Sequence, residues 1–171
     1  MQSSKTKTLV VSALIAALYV VLSVVPGVFN LASGAIQFRV SEGLNHLVVF
    51  NRKYLFGIVL GVVVFNALFS PMGWLDVAFG GGQSLIGLLL VTWLAPRFKH
   101  LWQQQLVNIV VMTVTMALIA VEIVWTSHAP MAAAFWGIYA GLMLSEAIIM
   151  TLTAPIMAGL DRLLHFASVI Q

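Results

Sequence analysis

Leu9-Val10-Val11-Ser12-Ala13-Leu14-Ile15-Ala16-Ala17-Leu18-Tyr19-Val20-Val21-Leu22-Ser23-Val24-Val25 carries no charged side chain and follows Lys5 and Lys7. A run of this length is long enough to approach the span of a bilayer core, and it is long for the apolar region of a signal peptide. We read it as a retained first helix, because the chain continues with further apolar runs. These are Thr8–Val25 itself, a short one at Ser41–Phe50, then Tyr54–Phe69, Gly80–Leu94, Leu106–Trp125 and a long last one at Met131–Leu164. Residues that are 61% apolar and only 8% charged, with a mean hydropathy of +1.06, exceed what a soluble domain of 171 residues can bury. The expectation is an all-α membrane protein: a compact bundle of six transmembrane helices forming one integral membrane domain over residues 1–171. No length is left for a soluble catalytic domain.

Charge placement gives the topology. The chain has eight basic and five acidic residues. Lys5, Lys7, Arg52, Lys53, Arg97, Lys99 and Arg162 fall at one membrane face, alternating with weakly charged connections at Phe29–Ile36, Pro71–Ala78 and Ser127–Pro130. By the positive-inside rule both termini are cytoplasmic, and the chain is expected in the cell membrane. The pI near 9.6 arises from these anchors and not from a nucleic-acid surface, since the net charge is only +3. The absence of cysteine excludes disulfides, thiolate sites and iron–sulfur clusters. The second run, at about 15 Å of helix, is too short to cross a core of about 30 Å. Either it extends through Ile36–Val40 or part of the first connection enters the protein as irregular backbone.

Small residues recur at four-residue spacing in Ala13/Ala17, Gly57/Gly61 and Gly137/Gly141. Such pairs let helices approach closely in lipid. The glycine pairs are expected to pack internally, whereas Ala13 and Ala17 suit either internal packing or an external helical partner. Pro26 and Gly27 should end the first helix, Pro71 the third, and Pro155 could kink the last.

Ionised groups inside a membrane are expensive, so each needs a reason. Arg39 stands apart from the other basic residues, in Gln37-Phe38-Arg39-Val40-Ser41-Glu42. It can snorkel to headgroups or pair with Glu42, and the pair fits its position better. Glu42 could serve as a helix N-terminus or as part of a site, and Asn45 and His46 share its helical face. Asp76 lies in an outer connection, and Glu122 near the outer end of the fifth span with Trp125 one turn on. Glu146 is the hardest carboxylate to explain structurally. Trp136, Tyr139, Met143, Glu146 and Met150 step along one helical face, which suits a wall for a flat, polar-edged ligand; a core stripe with Glu146 paired to Arg39 is the alternative. Asn66 and Gln83 are polar residues in apolar spans, and Gly80-Gly81-Gly82 suits either a helix start or close approach to a ligand. The histidines are scattered, so no metal site is expected. No Walker A loop, His-Glu-x-x-His, Gly-x-Ser-x-Gly or aspartate pair is present, which points away from an enzyme and places any ATP-driven motor on another chain.

Ile36-Gln37-Phe38-Arg39-Val40-Ser41-Glu42-Gly43-Leu44, followed by Gly57 to Asn66, Asp76 and the Phe79-Gly80 turn, resembles the QueT family of queuosine-precursor transporters. That family looks like the substrate-binding S components of energy-coupling factor (ECF) transporters. The likeness is good over residues 8–95 and rests on size and hydropathy beyond. It implies six helices, cytoplasmic termini, an outward-facing pocket, and as partners a transmembrane T subunit and two cytoplasmic ATPases. It implies no cofactor on this chain, ATP being used by those partners, and would dock Ala13 and Ala17 on the T subunit. The implied ligand is a 7-deazaguanine such as preQ1, preQ0 or queuine. Its donor edge suits Glu146 or Glu42, a cationic arm suits Asp76 or Glu122, and Arg39 could hold Glu42 or meet a carbonyl oxygen. Rival readings are an S component for another flat vitamin such as thiamine, a ligand-free scaffold, and a solitary coupled carrier, which the lack of internal repeats disfavours. Gating is expected in the connections Phe29–Ile36 and Pro71–Ala78.

Overall fold

The computed structural model describes residues 2–28, 39–128 and 130–170. Among these the chain is helical without strands. Helix α1 runs over Gln2–Val28. After it, a 3-10 segment at Val40–His46 leads into α2 (Leu47–Phe50). Then come α3 (Tyr54–Phe69), α4 (Trp74–Leu94) with a 3-10 turn at Ala95–Arg97, α5 (Leu101–Thr115), α6 (Ala117–Thr126), α7 (Met131–Leu164) and α8 (Phe166–Val169). Four stretches are long and apolar enough to cross a bilayer: Lys5–Val25, Trp74–Arg97, Leu101–Thr126 and Ala133–Leu164; α3 is shorter.

Polarity is arranged inside out. Leu9, Phe56, Trp74 and Leu163 are exposed, whereas Ser41, Glu42, Asn45, His46, Asn108, Glu122 and Glu146 are buried. That pattern suits a lipid-facing surface around a polar interior.

Missing side chains set the helix contacts. A Cβ on Gly57 would meet the Ser12 carbonyl oxygen at 2.8 Å, and one on Gly61 would meet Tyr19 Cβ at 2.6 Å, so α1 lies directly on α3. Likewise, Gly87 admits Met112 Sδ, at 2.8 Å from where its Cβ would be, bringing α5 onto α4. Gly137 departs from the expectation of internal packing, because nothing lies within 4 Å of its Cβ position.

Several expected boundaries move for physical reasons. The α1 helix continues past Pro26 and Gly27 to Val28. The α4 helix starts at Trp74 instead of Gly80, immediately after Gly73 turns the chain at φ +59°. Gly80 to Gly82 therefore lie inside a helix; the place of a Gly80 side chain is taken by the Asn66 amide, which donates to the Asp76 carbonyl oxygen at 2.7 Å. The fifth span begins at Leu101 and divides at Met116. Thr115 Oγ1 donates to the Met112 carbonyl oxygen at 2.9 Å just before that break, a back-bond of the kind that bends helices.

Segment Val40–Phe50 is central and clamped from several sides. Its 3-10 portion rises about 2.0 Å per residue, tighter in winding and longer in reach than the α-helix expected there. The expected extension into Ile36–Phe38, and the Phe29–Ile36 gate, lie outside the described residues. At the other end of the bundle α8 folds back, with Tyr54 Oη donating to the Phe166 carbonyl oxygen at 3.0 Å and Asn51 Nδ2 to that of Ile170 at 3.0 Å.

Candidate functional site

The site is built around a buried carboxylate held from two elements. Glu42 is 2% exposed. Tyr19 Oη on α1 donates to its Oε1 at 2.6 Å, and Asn45 Nδ2, one turn on, donates to Oε2 at 2.7 Å. Beside them, Ser23 Oγ lies 2.8 Å from the Tyr19 carbonyl oxygen and 2.7 Å from Ser41 Oγ. The expected Arg39–Glu42 pair is not what forms: among the described residues both oxygens of Glu42 are satisfied by Tyr19 and Asn45. Short, charge-assisted bonds of this kind order a carboxylate firmly.

Glu146 on α7 completes a second wall. It is 5% exposed, and its Oε1 has no hydrogen-bond partner among the described residues. With Arg39, Met116, Ile119, Leu142 and Ser145 it lines a cavity of about 20 Å3. That volume holds about one water. The field of the Arg39 guanidinium reaches both Glu146 and Glu122, and that of Glu42 reaches Glu146. Larger cavities of about 410, 320 and 310 Å3 are lined by none of these acids and lie beside Phe98 and Trp102, beside Arg52 and Pro96, and beside Ile148 and Leu152 respectively. The polar chemistry therefore gathers at the smallest of these cavities.

A third group comes from α4 and α6. Glu122 is 1% exposed, Asp76 is near enough to interact with its carboxyl, and its Oε1 has no partner among the described residues. Asp76 sits in the first turn of α4, not in a connection. Neighbouring carboxyls in a buried site favour a shared proton or a cationic donor between them. Arg39 and Glu146 thus share one small cavity, Glu42, Asp76 and Glu122 come from three further elements, and the unpartnered oxygens of Glu146 and Glu122 are acceptors.

The remaining expected residues spread out. Gln83 is buried, but its Nε2 donates to Thr115 Oγ1 at 2.9 Å and its Oε1 accepts from Ser84 Oγ at 3.2 Å. It ties α4 to the end of α5. Trp125 is exposed, edge-on to Phe79 at 6.1 Å. Trp136 is exposed in a ring cluster with Phe135 and Tyr139, whose Oη donates to the Val114 carbonyl oxygen at 3.1 Å. The aromatic stripe of α7 therefore passes from the surface at Trp136 to the core at Glu146 and Met150. Ala13 and Ala17 face outward on α1. Among the described residues no histidine and carboxylate cluster could hold a metal.

Tyr19, Ser23 and Ser145 were not expected in the site. A signal existed for the first two: Ser12, Ala16, Tyr19 and Ser23 step along one face of the first helix, and all four are buried.

The chain matches the QueT transporter family over residues 9–162. It is similar to the Queuosine precursor transporter QueT of Lactococcus lactis subsp. cremoris (strain MG1363), at 37% identity over 137 residues, covering 76% of this chain and 80% of that protein. No solved structure gives a significant match. A helical membrane protein with four long apolar spans, an acid-rich buried site and this likeness along most of its length belongs to the QueT transporter family.

Proposed function

We propose that this chain is the S component of an ECF transporter in the cell membrane. It binds a queuosine precursor, a 7-deazaguanine such as preQ1, preQ0 or queuine, from the extracellular side for uptake driven by partner ATPases. The observation that carries the reading is the pair of unpartnered, buried carboxyl oxygens on Glu146 and Glu122. A buried acceptor without a donor is costly for the fold, and a ligand presenting N–H groups relieves that cost. The relative's name supplies the substrate class.

In this reading the four long spans, α3 and the second apolar run, extended as expected from the sequence, make six crossings and leave both termini cytoplasmic. The guanine-like edge donates to Glu146, with Glu42 held ready beside it by Tyr19 and Asn45. A ring carbonyl accepts from Arg39. A cationic arm, where the precursor has one, replaces the bridging proton between Asp76 and Glu122. A heterocycle needs far more than about 20 Å3, since small-molecule sites run to about 300 Å3 or more. Binding therefore requires the outer side to open, and among the described residues the turn at Pro71–Gly73 before α4 is the candidate for that movement. Partners are a T subunit, meeting the outward Ala13/Ala17 strip, and two cytoplasmic ATPases that use the ATP.

Reconstitution tests this. The chain alone in proteoliposomes should bind precursor without accumulating it, and uptake should appear only with the T subunit, both ATPases and ATP. ATP-dependent accumulation by the chain alone, or none by the full set around a folded chain, contradicts the proposal.

A further inference from the structure

Below the acids lies a second polar cluster with no role so far. His46 and Asn108 are each 0% exposed. His46 Nε2 lies 2.9 Å from the Met150 carbonyl oxygen, and Nδ1 lies 3.2 Å from Asn108 Nδ2. A carbonyl oxygen only accepts, so Nε2 carries the proton; the amide nitrogen only donates, so Nδ1 offers its lone pair. Both ring nitrogens are satisfied, in one tautomer and one orientation.

The position of this link matters. His46 is four residues after Glu42 in the central segment, and Met150 is four residues after Glu146 in α7. One hydrogen bond therefore joins the two elements that carry the two carboxylates, about one turn below both. Gly43 brings the same elements together, since its Cβ would meet Thr153 Cγ2 at 2.7 Å.

The α7 helix needs holding there. Pro155 lies inside it and has no N–H for the carbonyl of Thr151, four residues before. From α5, Gln105 Nε2 donates to the Ala154 carbonyl oxygen at 3.0 Å within the weakened turn, and Asn108, one turn on, reaches α7 just before it through His46 and the Met150 carbonyl oxygen. Asn108 Oδ1 has no partner among the described residues. A network selected for stability alone has no use for that orphan.

We propose that His46, locked by Met150 and Asn108, is a positioning residue that sets the distance between Glu42 and Glu146 for ligand binding. The inference rests on the binding role proposed for those acids.

Two polar substitutions separate positioning from bulk stability. The amide of His46→Gln reaches where Nε2 was and keeps the Met150 bond, while that of His46→Asn reaches only the Nδ1 position. Calorimetric titration with a 7-deazaguanine should give near wild-type affinity for His46→Gln and a loss of about tenfold or more for His46→Asn. In a Glu146→Gln background, His46→Asn should cost little more, because the group it positions is gone. Equal losses in the two variants, no loss in His46→Asn, or additivity with Glu146→Gln would overturn the proposal. A readout that needs neither ligand nor substitution is the imidazole 15N spectrum of the wild-type chain, which should show a neutral, Nε2-protonated ring shielded from solvent exchange. An Nδ1-protonated or freely exchanging ring refutes the clamp. If the wild-type chain shows the clamp spectrum but binds no deazaguanine, the functional reading fails and the positioning proposal with it; if it binds while the spectrum or variants disagree, only the proposal fails.

Discussion

Glu146→Gln should move stability and affinity in opposite directions. The amide is the same size, so contacts with Leu142 and Met116 around the small cavity persist. What disappears is the charge of a buried carboxylate whose Oε1 the fold leaves without a donor, since the amide keeps one acceptor oxygen but is neutral. An unsatisfied buried polar group costs about 1–3 kcal/mol, more when charged, so the variant should be at least as stable as the parent. For a domain of this size 1 kcal/mol is about 2–4 °C in Tm, so a rise of a few degrees is the upper expectation. Binding changes the other way. Hydrogen bonds to a charged group contribute about 1.5–3 kcal/mol, so replacing the carboxylate should weaken a donor-edged heterocycle about 10- to 100-fold. Thermal unfolding and calorimetric titration on one detergent-solubilised preparation read both. A clear drop in Tm with unchanged affinity would refute the reasoning and make Glu146 a structural group.

Further outcomes follow from other contacts. Tyr19→Phe removes the donor to Glu42 Oε1 and should cost about 1.5–3 kcal/mol, seen as a lower unfolding midpoint together with weaker ligand binding. Gly61→Ala should destabilise by about 1–3 kcal/mol because Tyr19 occupies the space, whereas Gly137→Ala, with open space, should be neutral or gain up to about 1 kcal/mol from helix propensity. Asp76→Asn should weaken an aminomethyl precursor more than a nitrile-bearing one in competition binding; equal loss would remove Asp76 and Glu122 from arm recognition. Ala13→Leu should leave ligand affinity intact while blocking ATP-driven uptake by the assembled transporter, and unimpaired uptake would free that face of α1 from docking.

How far the sequence carried depended on how local each cause was. The α7 helix was legible from Met131 to Leu164 because a long apolar run needs no partner to be recognised, and Pro71 correctly followed α3. The start of α4 was not, since three consecutive glycines read locally as a break. Tertiary packing explains two of them, Gly80 leaving room for Asn66 and Gly81 lying against Val63, while Gly82 faces open space. The break at Met116 was hidden because hydropathy is continuous there, and the Thr115 hydroxyl bond to the Met112 carbonyl beside it leaves no mark on hydropathy. Buried acids were legible individually, since each was an anomaly in an apolar chain. Their partners were not, because Tyr19 sits in the run that looked most plainly lipid-facing, and charge alone suggested Arg39 for Glu42. His46 and Asn108 lie 62 residues apart, and no periodicity links them.

The most direct test of the account is titration of the purified chain, without partners, with 7-deazaguanine precursors, guanine and thiamine in parallel. Saturable binding of a deazaguanine, tighter than guanine and without thiamine binding, is the predicted result. Binding of thiamine alone, or of none of these by a chain shown to be folded, would contradict it.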